Sequence, residues 1–255
     1  MTGTSLGILT GISYISGLDY YESINRLFTE GSSVGHEMRP NPEILMVSVD
    51  CDRYVNLLNA DALDEVAQYL LCGVEKLVQA GCNLLVIASN TGHVSVPAIN
   101  KAFPDLAIVH IADCSAAKLR AIGCSNISLI GTKPTMENDF LMSRLELHGV
   151  ATTIPSDSSA RNRIYDIICQ ELSYNILRDE SRDFMVGEIR AMAKRGAKAC
   201  LLGCTEIELL VQQEDIPDVP LLPSAEIHTA EVANILLGRR QLEELLPPTV
   251  RAKQA

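Results

Sequence analysis

The sequence predicts an α/β fold of two similar lobes, each a mostly parallel sheet flanked by helices, and three observations predict it. Apolar runs of strand length alternate with longer stretches of helical period. The chain resembles itself once, at offsets of 113 to 121 residues. Its 255 residues, 47% of them hydrophobic, supply core for one large domain or two small ones.

In chain order the apolar runs place strands at Ser5 to Leu9, Ile44 to Ser48, Leu84 to Ala88, Ile108 to Ile111, Ile127 to Ile130, Ala151 to Ile154, Ala199 to Leu202 and Pro220 to Leu222. Helices lie between them. The clearest are Ala60 to Ala80, ended by Gly81, and Asp183 to Lys194, ended by Gly196, each with glycine where a left-handed cap closes a helix.

Three matches carry the internal repeat. Pro104-Asp105-Leu106 leading to Ala112-Asp113 resembles Pro217-Asp218-Val219 leading to Ala225-Glu226, and an alanine-rich helix follows both. The run Leu84 to Thr91 aligns with Ala199 to Glu206, which sets Ser89 against Cys204. Gly7 to Gly11 resembles Ser128 to Thr132, again a strand followed by a turn of small residues. The period is too long for a solenoid and indicates a duplicated lobe. The expected lobes are residues 1–113 with 225–255, and 114–224. Related by a pseudo-two-fold axis, they would bring the carboxyl ends of corresponding strands to one cleft, where open α/β sheets bind ligands. Ser89 and Cys204 would then confront each other.

Composition excludes several functions. A formal charge of −11 disfavours nucleic acid and anionic membrane surfaces. With no tryptophan and 4% aromatics there is little to stack bases on. No run of eighteen apolar residues occurs, and Met1 to Ser5 lacks a signal peptide's basic and apolar regions, so a cytoplasmic location is expected. The eight cysteines form no CxxC pair and sit mostly in apolar runs, which argues against a disulfide framework and against a structural zinc site. Cys200 reads as a core residue of its strand.

The strand ends offer chemistry. Cys204 sits in a turn beside backbone N–H groups, before Thr205 to Leu210, a plausible helix; such a place attracts carboxylates and lowers a thiol's pKa. A buried structural cysteine is the bland alternative. Thr132 and Thr135 occupy another strand-end turn whose hydroxyls can hold a carboxylate, or can simply cap a helix.

Together, Ala88-Ser89-Asn90-Thr91-Gly92-His93, Gly203-Cys204-Thr205-Glu206, Gly131-Thr132 and Thr135-Met136-Glu137 resemble the aspartate/glutamate racemase family. Gly11-Ile12-Ser13 through Ser16, Tyr20-Tyr21 and Asn25 are similar to its opening motif, and Ser48-Val49-Asp50 and His110-Ile111-Ala112-Asp113 also match. The similarity spans nearly the whole chain and is nearest the L-aspartate/glutamate-specific branch. It implies an active site between two lobes and a reaction without pyridoxal phosphate or metal. In the usual member two cysteines flank the substrate α-carbon, one removing its proton and the other returning one to the opposite face. Carried onto this chain, Cys204 is the second of these, while Asn90, Thr91, Thr132 and Thr205 match residues that hold the carboxylate and amino groups. Ser13 and Thr135 join that expected substrate-binding set. A homodimer acting on a small amino acid is the expected assembly.

Two departures stand out. The first cysteine is replaced by Ser89, whose hydroxyl is a weaker resting base but can still donate a proton or relay one through water. Ser173 stands where many aspartate racemases have lysine, which leaves Arg39 as the alternative cation for a side-chain carboxylate. His93 and His228, the latter expected to begin the last helix, are possible activators; His36, His110 and His148 carry less signal. Glu206 can orient the Cys204 thiol or a substrate ammonium, or be a solvated first-turn residue. Three rival readings remain: a single-cysteine decarboxylase that protonates an enediolate, nucleophilic catalysis by Cys204 with His93 or His228 as base, and a non-catalytic dicarboxylate binder.

Overall fold

A computed structural model describes residues 4–32, 38–60 and 62–250. The chain divides into two compact units, Met1–His110 with His228–Glu244, and Ile111–Ile227 with Leu245–Ala255.

In the first unit β1 (Leu6–Thr10), β2 (Ile44–Ser48), β3 (Leu84–Ile87) and β4 (Ala107–Ile108) form a parallel sheet in the order β2-β1-β3-β4. In the second, β5 (Asn126–Gly131), β6 (Ala151–Thr153), β7 (Cys200–Gly203) and β8 (Leu221–Pro223) form another, in the order β6-β5-β7-β8. The orders correspond strand for strand, so β3 and β7 occupy the same place in their sheets. Every residue of β3 and of β7 is buried. Both strands are covered on both faces, which is why they read as unbroken apolar runs.

Seven of the eight expected strands form close to their expected bounds, and the eighth is corrected. The run Ile108 to Ile111 is not a strand: β4 ends at Ile108, and Ile111 opens the helix Ile111–Ala121. Ile111 is buried either way, and apolarity alone does not separate a strand end from a buried helical turn. The helix expected over Ala60 to Ala80 covers Leu63–Gln79, behind a separate helix, Cys51–Asn59, whose first turn is capped by the Asp50 carboxylate. Asp61 of that expected helix, His36, and residues 251–255 of the tail lie outside the described residues. The helix expected from Asp183 begins at Asp179, where two acidic residues, Asp179 and Glu180, suit the positive end of its dipole. Gly81 and Gly196 take φ of 94° and 110°, the left-handed caps their positions require.

Candidate active site

In the first unit Ser89 follows β3. Its backbone N–H donates to the Ile87 carbonyl at 2.8 Å, and a 3-10 turn, Thr91–Ser95, follows at once. That turn aims the Gly92 N–H at Ser89 Oγ, 3.2 Å away, so the hydroxyl oxygen already accepts a donor that would also stabilise negative charge on it. A side chain at residue 92 would press on Ile87 and Ile12, the nearest atoms being 2.7 and 2.8 Å from a Cβ placed there. Glycine is what lets the amide come so near. Asn90 and Thr91 are buried beside Ser89, which is half-buried.

His93 lies in the same turn, and its Nδ1 is 2.7 Å from the Ser89 backbone oxygen. A carbonyl only accepts, so Nδ1 carries the proton. His93 is ringed by two more buried histidines, with centroids 4.6 Å away at His110 and 5.9 Å away at His228. His228 is the fifth residue of the helix Ser224–Leu236 and not its start. Its Nε2 donates to the Val109 carbonyl at 2.8 Å and its Nδ1 meets the Tyr20 hydroxyl at 2.9 Å. Ser13, one turn after β1, caps the helix Tyr14–Gly31 through its hydroxyl. Arg39 is exposed, and no hydrogen bond or ion pair among the described residues ties it to the Ser89 turn.

In the second unit Cys204 follows β7, the counterpart of β3. Gly203 leaves room for that turn: a Cβ there would stand 3.0 Å from Leu129 Cδ1 and 3.1 Å from both Ile130 O and Thr135 Cγ2. Thr132 caps the helix Lys133–Glu137, with its Oγ1 2.9 Å from that of Thr135. Thr132, Thr135, Cys204, Thr205 and Glu206 therefore gather at the adjoining ends of β5 and β7. The helix expected from Thr205 is only Ile207–Leu210.

The electrostatics of Cys204 correct the sequence reading. Its thiol donates to Glu206 Oε2 at 2.9 Å, and the Thr205 hydroxyl donates to the same oxygen at 2.8 Å. Burial pushes the thiol's pKa up, the Glu206 charge and the hydrogen bond to it push it further, and the Glu206 backbone N–H only partly offsets them. A lowered pKa was expected from the backbone amides alone. Cys204 instead sits among Ile130, Met136 and Ile207 beside a carboxylate. Glu206 is no freely solvated first-turn residue.

Cys169 and Tyr165 carry no local signal that sets them apart in the sequence. Both lie on the helix Ser158–Gln170. Burial raises the Cys169 thiol, with a smaller contribution from the Glu206 charge, and burial together with Cys169 pushes the Tyr165 phenol up to about 12. Nothing in local spacing links residues so distant in sequence from Cys204. Cys200 is fully buried in β7, its thiol pushed up to about 12 by desolvation, in keeping with a core residue. Among the described residues no group of three or more His, Cys, Asp or Glu side chains could hold a metal ion, and no helix is long and apolar enough to cross a membrane.

Comparison with known proteins agrees with this geometry. The model of the Asp/Glu/hydantoin racemase family matches residues 9–232. A candidate Asp/Glu racemase from Yersinia pestis is 32% identical, with 92% of this chain and 99% of that one covered and a TM-score of 0.82. An aspartate racemase homologue from Pyrococcus horikoshii OT3 is 26% identical over 91% of this chain and 99% of its own, with a TM-score of 0.75. A glutamate racemase isoform from Bacillus anthracis, 19% identical, with 94% and 84% covered and a TM-score of 0.67, shares the fold. With a family model spanning most of its length and both strand-end turns formed on equivalent strands, the chain belongs to the Asp/Glu/hydantoin racemase family and is an isomerase of the amino-acid racemase class.

Proposed function

We propose that the chain racemises an acidic amino acid, aspartate or glutamate, without a cofactor, using Cys204 and Ser89 as the two acid/base groups on opposite faces of the α-carbon. The observation that carries this is the equivalence of the two turns: each places one ionisable side chain after the corresponding strand, with a backbone N–H directed at its reactive atom. Cys204 as thiolate removes the α-proton from one face. Ser89 gives its hydroxyl proton to the other, and the Gly92 N–H stabilises the oxygen left behind. Ser89 then regains a proton from water. Asn90, Thr91, Thr132, Thr135 and Thr205, with Ser13 at the β1 end, supply hydroxyl and amide groups for the substrate's carboxylate and ammonium, and Arg39 is the cation offered to its side-chain carboxylate. The proposal includes a cytoplasmic homodimer, whose mass light scattering would report.

One observation favours a second reading. Cys204 rests as a neutral thiol, the form a decarboxylase needs to protonate an enediolate. The experiment is proton NMR of L- and D-aspartate and L- and D-glutamate in D2O with the wild-type protein, Cys204→Ala and Ser89→Ala. Loss of the α-proton signal that disappears in Cys204→Ala supports racemisation, and the Ser89→Ala rate reports on the hydroxyl. Absence of exchange with all four substrates sinks the racemase reading, and carbon dioxide release from substituted malonates then tests the decarboxylase.

A further inference from the structure

We infer that two copies of this chain pair about a two-fold axis at the open edge of the first sheet, β2 beside β2 of the copy and the helix Tyr14–Gly31 beside its equivalent. The inference gives the proposed homodimer a surface, and it holds or fails apart from the racemase reading.

The helix Tyr14–Gly31 leaves one flank bare. It packs on β1, where Gly17 has no room for a side chain against Thr10, and on one flank its Tyr20 meets His228. The other flank carries Tyr14, Leu18 and Tyr21, which are 70, 59 and 46% exposed, and Asn25. Farther along that flank the Thr29 hydroxyl donates to the Pro40 carbonyl, just before β2, so the flank faces the sheet edge. The strand is bare on the same side. Val47 and Val49 approach Gly73 on the opposite face of the sheet, so the alternation of the strand turns Met46 and Ser48 toward the helix Tyr14–Gly31, and both are exposed.

Two features fit a second copy. The strand β2 ends the strand order, and among the described residues no strand pairs with its outer side. Its run Ile44-Leu45-Met46-Val47-Ser48 has none of the charges or prolines that keep an exposed edge from pairing. The helical stripe is palindromic: Tyr14, Leu18, Tyr21 and Asn25 are spaced by four, three and four residues. Laid antiparallel on its copy, it sets Leu18 against Tyr21 twice and each Tyr14 hydroxyl beside an Asn25 amide.

One axis serves both pairings. The helix returns antiparallel to β1, with Gly17 at the level of Thr10. The midpoint of the stripe lies between Leu18 and Tyr21, about 4 Å further along the helix at 1.5 Å per residue. That is about one strand residue back from Thr10, at Leu9, whose partner Val47 adjoins Met46 at the centre of β2. An axis through Met46 therefore pairs the strands and the stripes together. Charge agrees with it. A net −11 per chain makes most faces repel a copy, whereas no side chain of the stripe or of β2 is charged at neutral pH. The acids at the strand ends, Glu43 and Asp50, fall opposite Val49 and Pro42 of the copy.

The test is the mass of the full chain by light scattering at micromolar concentration. Wild type should show twice the mass of one chain. Leu18→Arg and Met46→Lys put a charge on the seam at exposed positions and should halve that mass while keeping the wild-type circular dichroism. Tyr174→Arg, at an exposed apolar side chain of the second unit, should keep the doubled mass. Met46→Cys should form a disulfide with its copy in oxidised glutathione, beyond any that the exposed Cys51, Cys72 and Cys169 give in wild type. A single-chain mass for wild type, or a doubled mass kept by folded Leu18→Arg and Met46→Lys, overturns the inference. Where a charged variant does not fold, the Met46→Cys cross-link decides, and its absence overturns the pairing.

Discussion

The Nδ1 proton of His93 is directed at the backbone oxygen of Ser89, 2.7 Å away. The imidazole therefore fixes the peptide that carries the candidate hydroxyl, without contacting the hydroxyl through that nitrogen. His93→Asn keeps an amide N–H near the position of Nδ1, whereas His93→Leu removes the donor. Exchange of the substrate α-proton should fall about a hundredfold in His93→Leu, through misplacement of Ser89, and much less in His93→Asn. Equal losses in the two variants would show that the donor is not what matters.

Asp113 is the second relationship to test. Its buried carboxylate receives two hydrogen bonds from Arg144, both at 2.8 Å, and one from His148 Nε2 at 2.8 Å. His148 Nδ1 faces Arg120, which can only donate, so that nitrogen is the acceptor and Nε2 holds the proton given to Asp113. Asp113→Ala would leave Arg144 and the fully buried His148 without their common partner, at a cost of about 3 kcal/mol in urea unfolding. The exposed pair Arg26–Glu30 is the control, and Arg26→Ala should leave the unfolding midpoint unchanged.

Gly11 turns the chain out of β1 with φ of 93°, and a Cβ there would stand 2.2 Å from the Val49 oxygen and 2.4 Å from the Val49 nitrogen. Both the backbone conformation and the lack of space forbid a side chain. Gly11→Ala should lower stability by at least about 2 kcal/mol, and a thermal midpoint equal to wild type would refute this account.

Alkaline pH should destabilise the fold. Desolvation raises the Cys200 thiol from its ordinary 9.0 to about 12, and burial beside Glu206 raises Cys204 in the same direction. A raised pKa means the native state keeps a proton that the unfolded chain releases, so stability is complete below pH 9 and is lost as pH climbs toward the folded value. The expected slope between pH 9 and 12 is about 1.4 kcal/mol per pH unit for each such thiol. Denaturant titrations across this window should become shallower in Cys200→Ala, and an unaltered slope would discount Cys200.

Much of the fold was legible in the sequence. The strands β3 and β7 announce themselves as apolar runs because they are buried on both faces, and the Ser89 and Cys204 turns follow from where those runs stop. Helix ends at Gly81 and Gly196 were equally local. The error at Ile111 arose where a helix begins with buried apolar residues, a case in which apolarity carries no period.

The sequence by itself determined the repeated parallel lobe, the family, and the two residues standing at equivalent strand ends, because strand burial, glycine turns and short motifs act over a few neighbouring residues. Tertiary structure decided the rest. It joined Tyr20 to His228 across 208 positions, gave His93 a carbonyl to hold, and set Cys204 among apolar side chains beside the Glu206 carboxylate, which turned an expected thiolate into a resting thiol. Desolvation and charge proximity are properties of packed surroundings, and spacing along the chain does not carry them.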